Sequence, residues 1–422
     1  MVILNFILNQ NLAFLNAVKI LFQINVVANS GSTGHIAEEL GRLVIAKGWK
    51  SYIAYGRWAC QSQSELIRIG NSMGIFNHAL KSFLSDRHGL GSTRATRKLI
   101  SKIQEVKPDI IHLHNIHGYY LNYKILFNFL STAGIPVIWT LHDCWSMTGH
   151  CVHFQNIGCN KWKSICFHCP NKHDYPKSLF WDNSRGNYIK KKHLFCSVDN
   201  LIIVPVCKWL DTIVESSFLK DLKRKIVING IDLNVFYPQD CKEKVDVSLS
   251  INGRYMILAV ATVWSRTKGL DDIFTLRQYL SEEYVIVLVG LTPKQMKGLP
   301  EGIIGIERTE NIAQLVELYS ATDVFVNPTY QDTLPTVNIE ALACGTPVVT
   351  YNTGGSADIV DANTGLVVTR GDIKGLLASI LIVIKRGNSF YKKACRSRVE
   401  KYFNKHERYK EYLYLYNQLL QS

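Results

Sequence analysis

The amino-acid sequence predicts an α/β protein built from two doubly wound parallel-sheet domains, and three observations carry that prediction. The chain has 422 residues, enough for two domains of about 200 residues each. Its 47% apolar content is that of a globular protein with large cores. Short apolar strands alternate with amphipathic helical stretches in both halves, the mark of parallel strands joined by crossover helices.

In the first half, a strand at 20–27 leads into the loop Asn29-Ser30-Gly31-Ser32-Thr33-Gly34. A helix at 35–47 follows, with Ile36, Leu40, Leu43 and Val44 on one face and Gly48 closing it. Strands at 51–55, 110–114 and 137–141 alternate with helices at 96–106 and 126–133; the last strand runs into His142-Asp143. Residues 143–195 break the pattern with five cysteines, five histidines and many aromatics; long irregular stretches of this kind are functional or stapled. Strand signals resume at 200–204 and 225–228, before Asn229-Gly230-Ile231-Asp232.

Residues 237–253, charged and poor in apolar side chains, read as a linker. The scheme then repeats. Strands are predicted at 255–262, 284–290, 302–307, 323–328, 347–351 and 365–368, and helices at 269–280, 311–321, 334–344 and 372–386. A helical, aromatic-rich tail covers 391–420. The expected division is 1–236, 237–390 and a tail of 391–422.

Forty-eight Lys and Arg against 34 Asp and Glu leave +14, which suits a phosphate-bearing partner or an anionic membrane surface. Eleven cysteines without a secretory signal point to a reducing compartment. Residues 1–17 are apolar but broken by Asn5, Asn9, Gln10, Asn11 and Asn16, and they lack a basic n-region and an A-x-A site. They read as an upstream extension, with the fold starting at Val18. The apolar run 376–384 has the length of a buried helix, not of a span.

The richest stretch is 323–355, DVFVNPTYQDTLPTVNIEALACGTPVVTYNTGG. It reads as strand, polar loop, helix, strand, with Leu334-Pro335 opening the helix and Gly345 ending it. Asp332 and Thr333 sit in the loop, and Glu340 lies eight positions after Asp332. A helix N-terminus beside carboxylates suits a phosphorylated sugar: the free N–H groups take phosphate and the carboxylates take sugar hydroxyls. An ordinary α/β unit with solvated Asp and Glu is the plain alternative.

This stretch resembles the signature of retaining nucleotide-sugar glycosyltransferases of the two-Rossmann-domain, GT-B type (glycosyltransferase family 4). Their motif is Glu, seven residues, Glu, then Ala-x-Ala-x-Gly-x-Pro-Val. Here it reads Asp332, seven residues, Glu340, then Ala341-Leu342-Ala343-Cys344-Gly345-Thr346-Pro347-Val348, so the first carboxylate is one methylene short. The likeness extends to the NSGSTG, HLHN, LHDCW and NGID segments of the first half and is nearest to transferases of bacterial exopolysaccharide clusters of the colanic-acid type.

The resemblance implies two Rossmann-like domains facing a cleft, with the donor on the second, the acceptor on the first and the tail crossing back. It implies that Gly34 borders the donor diphosphate, that Lys268 before Gly269 binds it, and that Glu340 holds the ribose. Asp332 would contact the transferred sugar, and His142 would face the reacting centre. The helix start at Thr333, Leu334 and Pro335 completes the donor site. Arg266 stands near Lys268 and replaces the charge of the family's arginine, whose position holds Thr262. His114, Asn115 and His117, with His112, cluster at the preceding strand end and are expected to shape the acceptor side.

Cys151, Cys159, Cys166 and Cys169 end in a C-x-x-C, half of a tetrahedral zinc site, with His150, His153, His168 and His173 as substitute ligands; buried free thiols are the equal alternative. Basic residues and aromatics interleave over 151–195, a mixture suited to an anionic leaflet or a lipid diphosphate. No nucleic-acid motif accompanies it. No two aspartates stand two positions apart, so catalysis is expected to need no metal and no cofactor, and to stabilise the leaving diphosphate with cations and helix dipoles.

The expected function is transfer of a sugar, with retention, from a nucleotide-diphosphate donor to a lipid-linked glycan at the cytoplasmic membrane face, in bacterial capsule, O-antigen or exopolysaccharide synthesis. Two rivals stand beside it: a nucleotide-sugar epimerase on the same architecture, and a basic membrane- or RNA-binding module without activity.

Overall fold

The computed structural model describes residues 18–421. The expected upstream extension, 1–17, lies outside the described residues. In chain order the first domain contains β1 (Ile20–Asn25), α1 (Gly31–Ile45), β2 (Lys50–Tyr55), β3 (Glu65–Arg68), α2 (Ser72–Ser85), α3 (Thr93–Val106), β4 (Ile110–Leu113), α4 (Tyr123–Ala133), β5 (Val137–Leu141), α5 (Ser184–Phe195), β6 (Leu201–Pro205), α6 (Lys208–Glu215) and β7 (Lys223–Arg224). Its strands form one seven-stranded parallel sheet in the order β3-β2-β1-β4-β5-β6-β7.

The second domain contains α7 (Lys242–Ser248), β8 (Tyr255–Val260), α8 (Leu270–Gln278), β9 (Tyr284–Val289), α9 (Pro293–Met296), β10 (Ile303–Ile306), α10 (Ile312–Ala321), β11 (Val324–Asn327), α11 (Thr336–Ala343), β12 (Val348–Tyr351), α12 (Ser356–Ile359), β13 (Gly365–Val368) and α13 (Ile373–Arg386). Six parallel strands run in the order β10-β9-β8-β11-β12-β13. Strands such as β11 and β12 are buried along their whole length, as parallel strands covered on both faces must be. Two helices end the chain, α14 (Asn388–Tyr402) and α15 (Lys405–Leu419).

Several elements differ from the sequence expectation, each for a physical reason. The segment read as a linker holds α7, because Val245 is buried and Lys244 and Cys241 both fasten to Glu317 of α10. The tail is not one unit. Arg396 of α14 donates to the carbonyls of Phe236 and Ala343, while Tyr412 and Tyr416 of α15 are buried under the first sheet; the crossing falls at Phe403-Asn404. The glycine loop is shorter than expected, since α1 starts at Gly31 and takes in Gly34. A Cβ on Gly34 would come 3.0 Å from Val27 Cγ2, so only glycine lets the first turn lie against the end of β1. The irregular insert ends in α5. The strand expected at 225–228 is β7, two residues earlier, although Lys225 and Val227 still donate backbone bonds to Ile203 and Pro205.

Candidate functional site

In both sheets the loops leaving the carboxyl ends of the central strands carry the polar side chains singled out above, where open α/β sheets bind ligands. On the first domain, β5 runs into His142 and Asp143, and β4 into His114 and Asn115. Gln23 of β1 donates its amide N–H to Ala37 O at 2.8 Å, leaving its Oε1 to accept from His114 Nε2 at 3.1 Å. His114 Nδ1 is then an acceptor, and His142 Nε2–H donates to it at 3.3 Å. This chain assigns His142 a neutral tautomer with Nδ1 unprotonated. Burial agrees: it holds the His142 imidazole down to about 4, against the opposing pull of Asp143.

His114, 1% exposed, spends both ring nitrogens inside the protein, so it positions His142 and does not line the acceptor side as expected. His112 faces away altogether, bonded to Tyr416 OH at 2.7 Å and Thr140 Oγ1 at 2.8 Å. His117 does reach the cleft. Its Nε2 lies 2.7 Å from Asp143 Oδ2, and its Nδ1 is 3.4 Å from Tyr175 OH. Burial raises the Asp143 carboxyl, but His117 and the Trp145 N–H outweigh it and bring it to about 2. Asn115 is anchored by its backbone, its N–H donating to Asn25 Oδ1 and its carbonyl accepting from Tyr120 OH.

Acid should destabilise this half. Burial also holds His78 down to about 4 and His112 to about 3. Unfolded imidazoles take up a proton near 6.5, so below that pH the unfolded chain binds more protons than the folded one. Stability is full above pH 6.5 and falls as pH drops towards 4. The thermal midpoint should fall steadily from about pH 7 to about pH 4.5; a flat midpoint would contradict the neutral assignments.

On the second domain, a 3₁₀ turn, Arg266–Lys268, precedes α8. Gly269 follows with φ +81°, and a Cβ there would sit 2.2 Å from Pro328 O, so the turn is pressed against the exit of β11. That contact points Lys268 at the loop before α11, where Nζ donates to Asp332 Oδ2 at 2.7 Å. Arg266 does not join them. Its side chain is 93% exposed and 3.9 Å from Asp271, so the expected charge replacement is not assembled.

Pro335 is the N-cap of α11, one position outside the helix it was expected to start. Leu334 is buried beneath it, and Thr333 is buried with its hydroxyl unpaired. Glu340 accepts from Tyr319 OH at 3.0 Å, and burial pushes its carboxyl up. The loop is clamped from β12: Gly355 N–H donates to Thr333 O at 2.9 Å, and Gly354 has φ +55°. A Cβ on Gly354 would meet Asp332 O at 1.6 Å. Gly354→Ala should therefore displace Asp332 and lower any turnover that depends on this loop by about 10²-fold, as misplacement of about 1 Å does. Activity within threefold of wild type, roughly the scatter of such effects, would refute that clamp.

The insert between β5 and α5 reaches the second domain, where Arg370 donates to the Gln155 carbonyl. Burial lowers the His153 imidazole, Asp143 and Asp332 oppose that, and Lys268 adds to it, so His153 lies within electrostatic reach of charged groups from both domains. Unpaired buried polar atoms gather on the same loops: His153 Nδ1, Gln155 Oε1 and Asn156 Oδ1 from the insert, and Gln331 Oε1, Thr333 Oγ1 and Thr353 Oγ1 from the second domain. Buried polar atoms of this kind are paired by protein, water or ligand in native proteins. The domains are fastened nearby by Trp209 N–H to Asp358 Oδ2 at 3.0 Å and by Cys207 Sγ to Thr333 O at 3.2 Å. The sequence marks His153 only as a substitute zinc ligand; nothing in it sets how the insert folds back.

Among the described residues, no group of three or more His, Cys, Asp and Glu is arranged to hold a metal ion. Cys151 donates to Cys169, whose thiol is brought to about 7, while Cys166 accepts from Gly149 N–H at 3.2 Å. His150 is engaged with Asp86. The cysteine set expected for zinc is therefore not gathered as ligands in this arrangement.

Two parallel-sheet domains with a polar cleft between their strand ends have the architecture of the GT-B fold. A family model described as Glycosyltransferase Family 4 matches residues 33–235, and one described as Glycosyl transferases group 1 matches 254–386. The chain belongs to this glycosyltransferase family. It is 23% identical over 379 residues, 85% of this chain and 89% of the relative, to WcaC of Escherichia coli K12, assigned as a colanic acid biosynthesis glycosyl transferase. It is 24% identical over 206 residues, 46% of this chain and 53% of the relative, to the capsular polysaccharide biosynthesis glycosyltransferase CapM of Staphylococcus aureus. Among solved structures, sucrose-phosphate synthase of Thermosynechococcus elongatus superposes with TM-score 0.69 at 16% identity, covering 96% of this chain and 99% of that one. HepE of Anabaena in complex with UDP gives 0.65 at 15%, covering 95% and 100%.

Proposed function

We propose that this protein transfers a sugar from a nucleoside-diphosphate donor to an acceptor hydroxyl, with retention at the anomeric carbon, in building a bacterial surface polysaccharide. The observation that carries this reading is the Lys268–Asp332 pair of the second domain, with His153 of the first domain's insert within electrostatic reach of both and of Asp143 beside His142. WcaC and CapM, which are similar to it, bear names from colanic acid and capsule synthesis, and HepE was solved with UDP and with UDP-glucose, which supports a nucleotide-sugar donor.

In this reading Lys268 exchanges Asp332 for the donor diphosphate and offsets the charge that grows on it as the bond to the sugar breaks. The N–H groups at the start of α11 add to that offset. Asp332, released, accepts from sugar hydroxyls, and Glu340 with Tyr319 holds the ribose. The C1–O bond to phosphate breaks, a C1–O bond to the acceptor forms on the same face, and the acceptor proton passes to the departing phosphate oxygen. His142 presents Nδ1 as an acceptor beside the sugar. The acceptor is a lipid-linked glycan, and the enzyme works as a peripheral protein at the inner face of the cytoplasmic membrane without a catalytic metal.

The test is nucleoside-diphosphate release from a panel of UDP-, GDP- and ADP-sugars, with and without polyprenyl-diphosphate-linked acceptor, with product configuration read by NMR. Acceptor-dependent release with an unchanged anomeric configuration supports the reading. An epimerised free nucleotide sugar, or no turnover of any donor, refutes it.

A further inference from the structure

Helix α2 packs inward through Ile75 and two polar side chains and turns most of its apolar residues outward. Its buried side chains are the polar His78 and Ser82, while Met73, Phe76, Leu80 and Leu84 are 43–67% exposed. Those four follow the three- and four-residue spacing of one helix face, so they form a continuous apolar stripe in water. The polar anchor explains the orientation: Gly91 N–H donates to His78 Nε2 at 3.0 Å, and His78 Nδ1 bonds Ser92 Oγ at 2.9 Å. Beside the stripe stand Phe180 and Trp181, 70% and 69% exposed, on a loop tied to α2 by Leu179 N–H donating to Phe83 O at 2.8 Å.

Next to this face is a cavity of about 600 Å³ lined by Lys81, Arg87, Arg97, Lys124 and Lys190, with no carboxylate in its lining. Among the described residues none of these five side chains makes an ion pair or a hydrogen bond. Burial and the nearby Lys124 and Arg87 lower the Lys190 ammonium, as expected of cations crowded without a counter-charge. Arg94 and Lys98 extend the positive rim over the neighbouring groove. Uncompensated cations around an apolar stripe complement one surface above others, a lipid leaflet with phosphate head groups over acyl chains.

We infer that this face docks on an anionic lipid leaflet, with the α2 stripe, Phe180 and Trp181 entering the interface and the five-cation cavity taking lipid phosphate. The docking edge leads to the cleft: Tyr175, five residues before Phe180, is 3.4 Å from His117 through its hydroxyl. A membrane-held acceptor would thus be presented on the His117 side. This deepens the proposed function, on which it rests only for the identity of that acceptor.

The full chain should be sedimented with vesicles of equal parts phosphatidylglycerol and phosphatidylcholine, and with phosphatidylcholine alone. The wild type should bind the anionic vesicles and release at high salt. Phe76→Glu with Leu80→Glu, and separately Arg97→Glu with Lys124→Glu, should each weaken partitioning about tenfold or more. Both variants should keep the wild-type rate of nucleoside-diphosphate release with a water-soluble acceptor, a readout that fails independently if the transferase reading is wrong. Absence of wild-type binding to anionic vesicles, or unchanged binding of both variants, would overturn the inference. A wild-type dimer that Phe76→Glu dissolves, without vesicle binding, would overturn it in favour of a second copy on this face.

Discussion

Lys268→Ala should lower kcat/KM for sugar transfer by about 10²–10³-fold, the usual effect of removing one preorganised group that meets developing negative charge. In the free protein Lys268 spends its charge on Asp332 at 2.7 Å, and both side chains are partly exposed, 37% and 24%. A pair that wet contributes little to stability, so the thermal midpoint of the variant should stay within a few degrees of wild type. The loss belongs to the transition state and should fall mainly on kcat. Lys268→Arg retains the charge but not the compact ammonium, and should recover part of the rate. A variant with wild-type kcat and only a raised KM would mean that Lys268 binds donor and transition state alike and takes no part in departure of the diphosphate.

Asp86→Ala should destabilise the first domain by about 3–5 kcal/mol, because it leaves a buried partner uncompensated. Asp86 is 1% exposed and has φ +48° at the end of α2. Its Oδ1 lies 2.6 Å from His150 Nδ1, its Oδ2 accepts from Asn183 N–H at 2.8 Å, and its carbonyl accepts from Asn187 at 2.7 Å. One residue therefore fastens both ends of the insert that carries His153 and Tyr175. A loss of that size lowers the midpoint of a domain this large by about 10 °C.

The pH dependence of that difference has a definite sign. Burial opposes the charge on His150, but the bond to Asp86 wins and raises its pKa above the usual 6.5. The ion-pair part of the stabilisation is full below pH 6.5 and fades as pH rises through the raised value. The midpoint gap between wild type and variant should narrow on the alkaline side. A gap that widens there, or a midpoint loss below about 2 °C, would show that the insert is held by other contacts.

How much of this was legible in the sequence follows from what each element packs against. The second domain read well because β8, β9, β11 and β12 are covered on both faces and appear as unbroken apolar runs. Helix α2 gave no usable core signal, since most of its apolar residues face out and its inward contacts are made by Ile75 with a histidine and a serine. Helix α5 was hidden by Lys190-Lys191-Lys192, yet Lys191 is buried and donates to Trp145 O and Thr148 O. The site divides the same way. Lys268, Asp332 and Glu340 lie on a local strand-loop-helix unit whose spacing fixes them. The Gln23–His114–His142 chain joins three separate strands, and His153 depends on the path of the insert, so neither was visible.

The most direct measurement is a crystal structure of the protein soaked with the nucleoside diphosphate of whichever donor proves active in the panel. The β-phosphate should lie within hydrogen-bond distance of Lys268 Nζ and of the N–H groups opening α11, with the Lys268–Asp332 contact broken and the ribose at Glu340. A nucleotide lodged away from this cleft, with Lys268 still bonded to Asp332, would contradict this placement.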